Sequence, residues 1–279
     1  ESLDSGINFF DTAPLYGNKN EDGVAETVLG KGLGSRRDEA IISTKFGRTA
    51  RDVMPGRFHA AEARASCEAS LSRLGTDRID LLFFHSPFEE SEIHDDVWAE
   101  LARLKEAGKI RFFGHSVSMY DQTREMSARW MGDRRIDAIQ VVLSPFNRET
   151  RPLIQNAAEL GCGVVARECM ANGFLSGSIR KDTVFPKGSL NARYSREEIG
   201  KRVEYAALLK SHLLTEEIES LPKAAYRWVL DQAGISLALS GAKNRREMKD
   251  SVLAASARSY DRSLLELAET IHKQDFCPA

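Results

Sequence analysis

The sequence predicts an α/β chain of parallel strand–helix units, a (β/α)8 barrel whose first strand is missing, and three observations lead there. Seven apolar segments of strand length recur along the 279 residues. They read as continuous apolar runs, such as Ile79-Asp80-Leu81-Leu82-Phe83-Phe84, and not as clean alternation, which is the pattern of strands covered on both faces. Amphipathic helical patterns separate them, and most intervals have the size of one βα unit.

Taken in order, Glu1 to Gly6 reads as the last turn of a helix feeding a strand over Ile7 to Asp11, and a second strand covers Ala40 to Lys45. Ala63, Cys67, Leu71 and Leu74 are spaced 4, 4 and 3 and make one helix face that can cover the sheet. The third strand, Ile79 to His85, is followed by Val97, Leu101 and Leu104, spaced 4 and 3. Strands over Phe112 to Ser116 and Ala138 to Leu143 precede a helix carrying Leu153, Ala157 and Leu160, closed by Gly161. A strand over Gly163 to Arg167 opens a long segment, Asn172 to Ser195, rich in Gly, Ser, Lys and Arg and containing Pro186; a helix is predicted over Arg196 to His212. Ala225, Trp228 and Val229 mark a further helix with Gly234 as its stop, and Ser236 to Gly241 is the last strand. The strand starts are 33, 39, 33, 26, 25 and 73 residues apart, and the longest interval holds a loop of the kind that usually carries function. No linker, low-complexity tract or charge block divides residues 1–279, so one barrel domain is expected. Completing it calls for roughly thirty residues upstream, one βα unit, because an open barrel leaves strand edges at Ile7 and Ser236 that natural proteins avoid.

With 42% hydrophobic and 29% charged residues the composition is that of a globular protein and excludes disordered or collagen-like classes. Thirty-nine basic against forty-one acidic residues leave a net charge of −2, so no global field recruits nucleic acid or an anionic membrane. Cys67, Cys162, Cys169 and Cys277 form no C-x-x-C pair and are too sparse for a disulfide scaffold, which points to reduced thiols. No apolar run reaches a membrane span of about 18 residues, the N-terminal residues lack a signal peptide's basic region, and a cytoplasmic protein is expected. No cluster of His, Cys, Asp or Glu has ligand spacing, so no metal is expected.

In a (β/α) barrel the active site lies at the carboxyl ends of the strands. Asp11, Lys45 and His85 end the first three strands, and Tyr16 sits in the turn Thr12-Ala13-Pro14-Leu15-Tyr16-Gly17. Singly, each has an ordinary structural explanation: a helix cap, a loop aromatic, a lysine with its stem on apolar surface, a core imidazole. Together they make a proton-donating pocket for an oxygen, since a tyrosine of ordinary pKa about 10 becomes a useful acid near neutrality only beside a cation. Lys45 can be that cation, Asp11 can keep it charged in a partly dry site, and His85 can donate to a carbonyl oxygen. Lys45 alone could also form a Schiff base. His115, at the end of the fourth strand, is expected to be structural or substrate-lining.

The motifs Gly6-Ile7-Asn8-Phe9-Phe10-Asp11-Thr12-Ala13, Ser43-Thr44-Lys45, Ile79-Asp80-Leu81 with Phe84-His85, and Gly108-Lys109-Ile110-Arg111 resemble the aldo-keto reductases. The likeness continues through Gly161-Cys162-Gly163-Val164-Val165-Ala166 and Gly173-Phe174-Leu175-Ser176-Gly177 to Ser240-Gly241-Ala242-Lys243-Asn244, nearly the whole chain. It is similar to the branch that includes the potassium-channel β subunits and many bacterial reductases. The resemblance implies that Tyr16 is the general acid, Lys45 lowers its pKa, Asp11 pairs with Lys45 and His85 orients a carbonyl substrate. It also implies a nicotinamide cofactor lying across the barrel mouth.

By the same resemblance, Ser116 and Gln140 hold the carboxamide of that cofactor, and Arg167 packs on its ring. Val117 stands where the family often has Asn. Gly241 and Lys243 match the phosphate end, and Asp250 and Ser251 the adenine end, where Glu and Asn are common. Glu247 occupies a place near the adenosine 2′ position that the family often fills with Gln or Arg, and a carboxylate there repels a 2′-phosphate. Lys243, Arg245 and Arg246 offset it, Arg193 in the long loop can reach the same phosphate, and the preference is NADP, with NAD as the alternative. The expected function is therefore an NAD(P)H-dependent oxidoreductase that reduces a small-molecule aldehyde or ketone. The competing readings are a cofactor-binding regulatory subunit without significant turnover and a Schiff-base lyase using Lys45. Substrate identity and oligomeric state are left open.

Overall fold

Parallel pairing between strands that follow one another in the chain organises the fold. The computed structural model describes residues 1–17, 20–50 and 57–275. These fall into two units, Glu1–Val141 with Asn156–Val164, and Val142–Gln155 with Val165–Ala279.

The first unit carries β1 (Phe9–Asp11), β2 (Ile41–Phe46), β3 (Ile79–His85), β4 (Ile110–Ser116), most of β5 (Ala138–Val142) and the start of β6 (Gly163–Arg167). A short 3-10 turn, Leu3–Ser5, precedes β1 and ends at Gly6 in the left-handed region (φ 86°). Registers are fixed by pairs that become the site: Asp11 with Ser43, Lys45 with Phe83, His85 with Ser116, and Ser116 with Gln140. The beginning of β6 joins through the Gly163 N–H, which donates to Asp137 O at 3.0 Å. Strands β1 and β5 are four spacings apart, about 19 Å in a flat sheet. Yet the Gln140 amide on β5 donates to Asp11 on β1 at 3.0 Å. The sheet therefore curls into a half-barrel, the curvature a (β/α)8 barrel requires.

Helices α1 (Val24–Leu33), α2 (Ala60–Leu74), α3 (Asp96–Glu106) and α4 (Tyr120–Gly132) belong to this unit. As the spacing predicts, α2 buries Ala63, Cys67, Leu71 and Leu74, and α3 buries Val97, Leu101 and Leu104. Helix α2 begins where His59 Nδ1 accepts the Glu62 N–H and ends at Gly75, φ 65°. Residues of β2 to β4 that face away from the site meet these helices: Phe84 packs on Trp98 and Trp130 with ring centroids 5.3 Å apart in each case. On the same face Thr44 donates to Glu26 at 2.6 Å and Arg73 donates to the other Glu26 oxygen at 2.6 Å.

The second unit contains the end of β6, β7 (Leu237–Ala238), α6 (Arg196–Leu213), α7 (Leu221–Leu230), α8 (Arg245–Ser256) and α9 (Arg262–Asp275), with α5 (Arg151–Glu159) divided between the units. Its core is built on Trp228, Tyr205, Phe146 and Phe174. The buried Arg148 guanidinium lies over Trp228, 4.6 Å from the ring centre, and pairs with Glu269 at 2.7 Å.

Two expectations are corrected. The last strand shrinks from Ser236–Gly241 to Leu237–Ala238, because only Val165 and Ala166 of β6 pair with it. Helix α7 stops at Leu230, four residues before Gly234; the Asp231 N–H satisfies carbonyls at Arg227 and Val229, so no glycine cap is needed. Between β6 and α6 the described chain has only short 3-10 turns, Ala171–Ser176 and Leu190–Arg193, as the composition of Asn172 to Ser195 leads one to expect.

Candidate active site

Strand parity assembles the site in the first unit. Side chains two residues apart share a face, so the registers above align Asp11, Ser43 with Lys45, Leu81 with Phe83 and His85, Gly114 with Ser116, and Ala138 with Gln140. Gly114 is needed there: a Cβ would lie 2.3 Å from Ala138 O and 2.8 Å from the Phe83 ring. The polar members gather at the carboxyl ends of the strands and Phe83 fills the space below.

Lys45 is fully buried, and its Nζ donates to Asp11 Oδ2 at 2.7 Å and to Thr12 O at 2.9 Å. The ammonium also stands over the Tyr16 ring, 4.8 Å from its centre. A buried ammonium needs such pairing, because desolvation otherwise favours loss of its charge. Tyr16 lies on the turn after β1, is 38% exposed, and meets the His85 ring edge-on at 5.9 Å and 88°. Asp11, Tyr16, Lys45 and His85 are thus brought together.

The other oxygen of Asp11 accepts from Ser43 at 2.7 Å and from Gln140 Nε2 at 3.0 Å. Ser116 donates to Gln140 Oε1 at 3.1 Å, so one chain of hydrogen bonds runs Ser116–Gln140–Asp11–Lys45. Val117 contributes its N–H to Gln140 O at 2.8 Å. After these bonds Gln140 retains one amide N–H and Ser116 Oγ an acceptor lone pair, the complementary pair that a carboxamide group requires. The donor set therefore fits a nicotinamide carboxamide.

The remaining predicted residues lie in the second unit. Arg167 ends β6 and pairs with Glu168, and Arg193 donates to Tyr194 Oη at 2.9 Å. Gly241 and Lys243 occupy the segment between β7 and α8, and Asp250 and Ser251 lie on α8 itself. Ser251 Oγ is 2.7 Å from Ser240 Oγ and donates to Glu247 O at 3.0 Å. Glu247 turns back on its own helix start: its carboxylate accepts from the Lys243 N–H and from Asn244 Nδ2, both at 2.8 Å. The bond from the Lys243 N–H holds this carboxyl below its ordinary range. Glu247 is therefore engaged as a capping group beside Asn244, whose side chain caps α8.

His115 points away from the site. Its Nδ1 lies 2.9 Å from Ser127 Oγ on α4, and because that hydroxyl already donates to Thr123 O, Nδ1 is the protonated nitrogen. Burial pushes the imidazole down to about 3, so it is neutral, and the structural reading replaces the substrate-lining one. Sequence reasoning overlooked Ser43, whose signal was present: it precedes Lys45 by two residues on β2 and so shares its face. Cys67, Cys162 and Cys169 are free thiols, and Cys277 lies outside the described residues. No helix among the described residues is long and apolar enough to cross a membrane.

The sequence matches the family model described as Aldo/keto reductase family over residues 1–270. Among curated proteins it is 29% identical to "Probable aldo-keto reductase 1" of Glycine max, covering 97% of this chain and 77% of that one. It is 27% identical to "Aldo-keto reductase yakc [NADP(+)]" of Schizosaccharomyces pombe, covering 96% and 79%. Among solved structures, glycerol dehydrogenase AKR11B4 from Gluconobacter oxydans superposes with a TM-score of 0.81 at 27% identity, covering 100% of this chain and 85% of that one. The holo form of aldo-keto reductase AKR11C1 from Bacillus halodurans gives 0.73 at 26%, covering 97% and 83%.

Proposed function

The chain belongs to the aldo/keto reductase family, and from that premise we propose that it is an NAD(P)H-dependent oxidoreductase that reduces a small-molecule aldehyde or ketone, with Tyr16 as the general acid. One observation carries the reading: the Tyr16 ring meets both the Lys45 ammonium, 4.8 Å from its centre, and the His85 ring, edge-on with centres 5.9 Å apart. A nicotinamide cofactor, when bound, supplies the hydride. The chain's residues do the rest. Ser116 and Gln140 hold the carboxamide, His85 donates to the carbonyl oxygen, and Tyr16 gives that oxygen its proton. Lys45, kept as an ammonium by Asp11 and Thr12 O, stabilises the negative charge that develops on the Tyr16 oxygen. In the second unit Arg167, Arg193, Gly241, Lys243, Asp250 and Ser251 are assigned to the cofactor.

NADP is the preferred form, supported by Lys243, Arg245 and Arg246 at the start of α8 and by the withdrawal of the Glu247 carboxylate into its cap. The cytoplasm is the proposed location. The Schiff-base reading loses ground because Lys45 Nζ is committed as a buried cation to two acceptors, whereas attack on a carbonyl requires the free amine.

The decisive experiment is Tyr16→Phe, assayed with NADPH and para-nitrobenzaldehyde. Loss of the positioned acid lowers kcat by about 10²–10⁴-fold while NADPH binding persists. Turnover at the parental rate would refute the assignment of the acid.

A further inference from the structure

We infer that Arg48 is a positioning residue for carbonyl reduction, holding the peptide that follows His85 and thereby setting the imidazole against Tyr16. This rests on the reading of Tyr16 and His85 as the carbonyl-oxygen site. Arg48 enters from the turn after β2, next to Gly47, whose φ of 96° and whose missing Cβ are both required: a Cβ would lie 2.1 Å from the Phe58 ring. The arginine is 3% exposed. Its Nε donates to His85 O at 2.8 Å and to Ser86 O at 3.2 Å, and its Nη2 donates to Ser86 O at 2.8 Å.

Ser86 has a φ of 55°, the left-handed region that a residue with a side chain seldom adopts. Such a conformation persists only where its surroundings over-determine it, and the guanidinium supplies that constraint by gripping the carbonyls on both sides of the turn. The grip is anchored from behind. Arg48 Nη2 pairs with Glu92 at 3.1 Å, the same Glu92 oxygen accepts the Phe88 N–H at 2.9 Å, and the guanidinium lies over the Phe88 ring at 4.2 Å. A planar fork with several donors suits this task, which one ammonium would perform less rigidly.

The turn also continues the hydrogen-bonded chain of the site, because Ser86 Oγ approaches Ser116 Oγ at 3.5 Å. Arg48 thus secures the group that flanks the reacting oxygen, the His85 ring. A shift of the catalytic groups by about 1 Å costs roughly 10²-fold in rate.

The test uses Arg48→Met, which keeps bulk against Phe88 but removes every donor. Kinetics with NADPH and para-nitrobenzaldehyde, NADPH fluorescence titration and the melting temperature are measured beside the parent. The expected result is a kcat lower by about 10²-fold, with NADPH affinity retained and turnover of Arg48→Ala partly restored by added methylguanidine. A folded Arg48→Met with parental kcat overturns the inference, as does a loss that lies wholly in NADPH binding. Should Arg48→Met fail to fold, Glu92→Gln decides: it retains the acceptor for Phe88 but loses the charge, so a reduced kcat is expected and a parental kcat refutes the role. Tyr16→Phe separates the two levels. If it keeps full turnover, the reductase reading and this inference fall together; if it loses turnover while Arg48→Met does not, only this inference falls.

Discussion

Lys45 is fully buried, and Asp11, itself bonded to Ser43 and Gln140, is its counter-ion. His115, one residue before Ser116, illustrates the opposite treatment of a titratable group. Sealed between β4 and α4, it is neutral, and among the described residues its ring is hydrogen-bonded only through Nδ1, to Ser127. Its folded pKa of about 3 lies below the ordinary 6.5, so the unfolded chain takes up a proton across that window that the native state refuses. The stability it supports is complete above 6.5 and is lost as pH falls toward about 3. His115→Asn, which retains a donor for Ser127, is expected to flatten the fall in melting temperature over that range. An unchanged slope would mean that other groups set the acid response.

Elements are held at fixed spacing by glycines that admit a neighbour's backbone. Within α1, Gly30 lies against the end of α2, where a Cβ would come within 2.4 Å of Leu74 O. Backbone cannot swing aside as a flexible side chain can. Gly30→Val is therefore expected to destabilise the fold by about 1–3 kcal/mol through overpacking, read as a lower urea midpoint at unchanged slope. Legibility also varied by element. Strands β3 and β6 are visible as continuous apolar runs, and the buried faces of α2 and α3 because their apolar residues keep the helical period. Helix α1 was hidden by Gly30 and Gly32, and α4 by the small polar Thr123 and Ser127, which are buried yet contribute nothing to an apolar pattern. Helix α7 ended by its own carbonyl bonds, where a glycine had been the expected signal.

For the whole molecule, a net charge of −2 supplies no field, so recognition must come from local groups. The segment between β6 and α6 is the largest departure from regular structure among the described residues after β6, and it exposes Arg180, Lys181 and Lys187. Trypsin is expected to nick there first. Because Arg193 and Lys243 are proposed to hold the phosphate end of the cofactor, saturating NADPH should slow that cleavage more than NADH does. Nicking that neither nucleotide affects would remove Arg193 from the proposed set.

Taken alone, the sequence determined the parallel α/β class, the family, and the carboxyl ends of the first and third strands at Asp11 and His85, with the second placed at Lys45, one residue short of Phe46, because apolar runs, βα spacing and linear motifs are properties of neighbouring positions. It also named Asp11, Tyr16, Lys45 and His85, since each sits within or beside such a motif. Tertiary structure decided what these residues face. The curl of the sheet carries Gln140 to Asp11 across 129 positions, and strand parity turns Ser116 into the site and His115 out of it. Arg48, a loop residue without a motif, closes on two carbonyls 37 and 38 positions away. Such contacts depend on register, curvature and turn conformation, which arise only when distant segments pack.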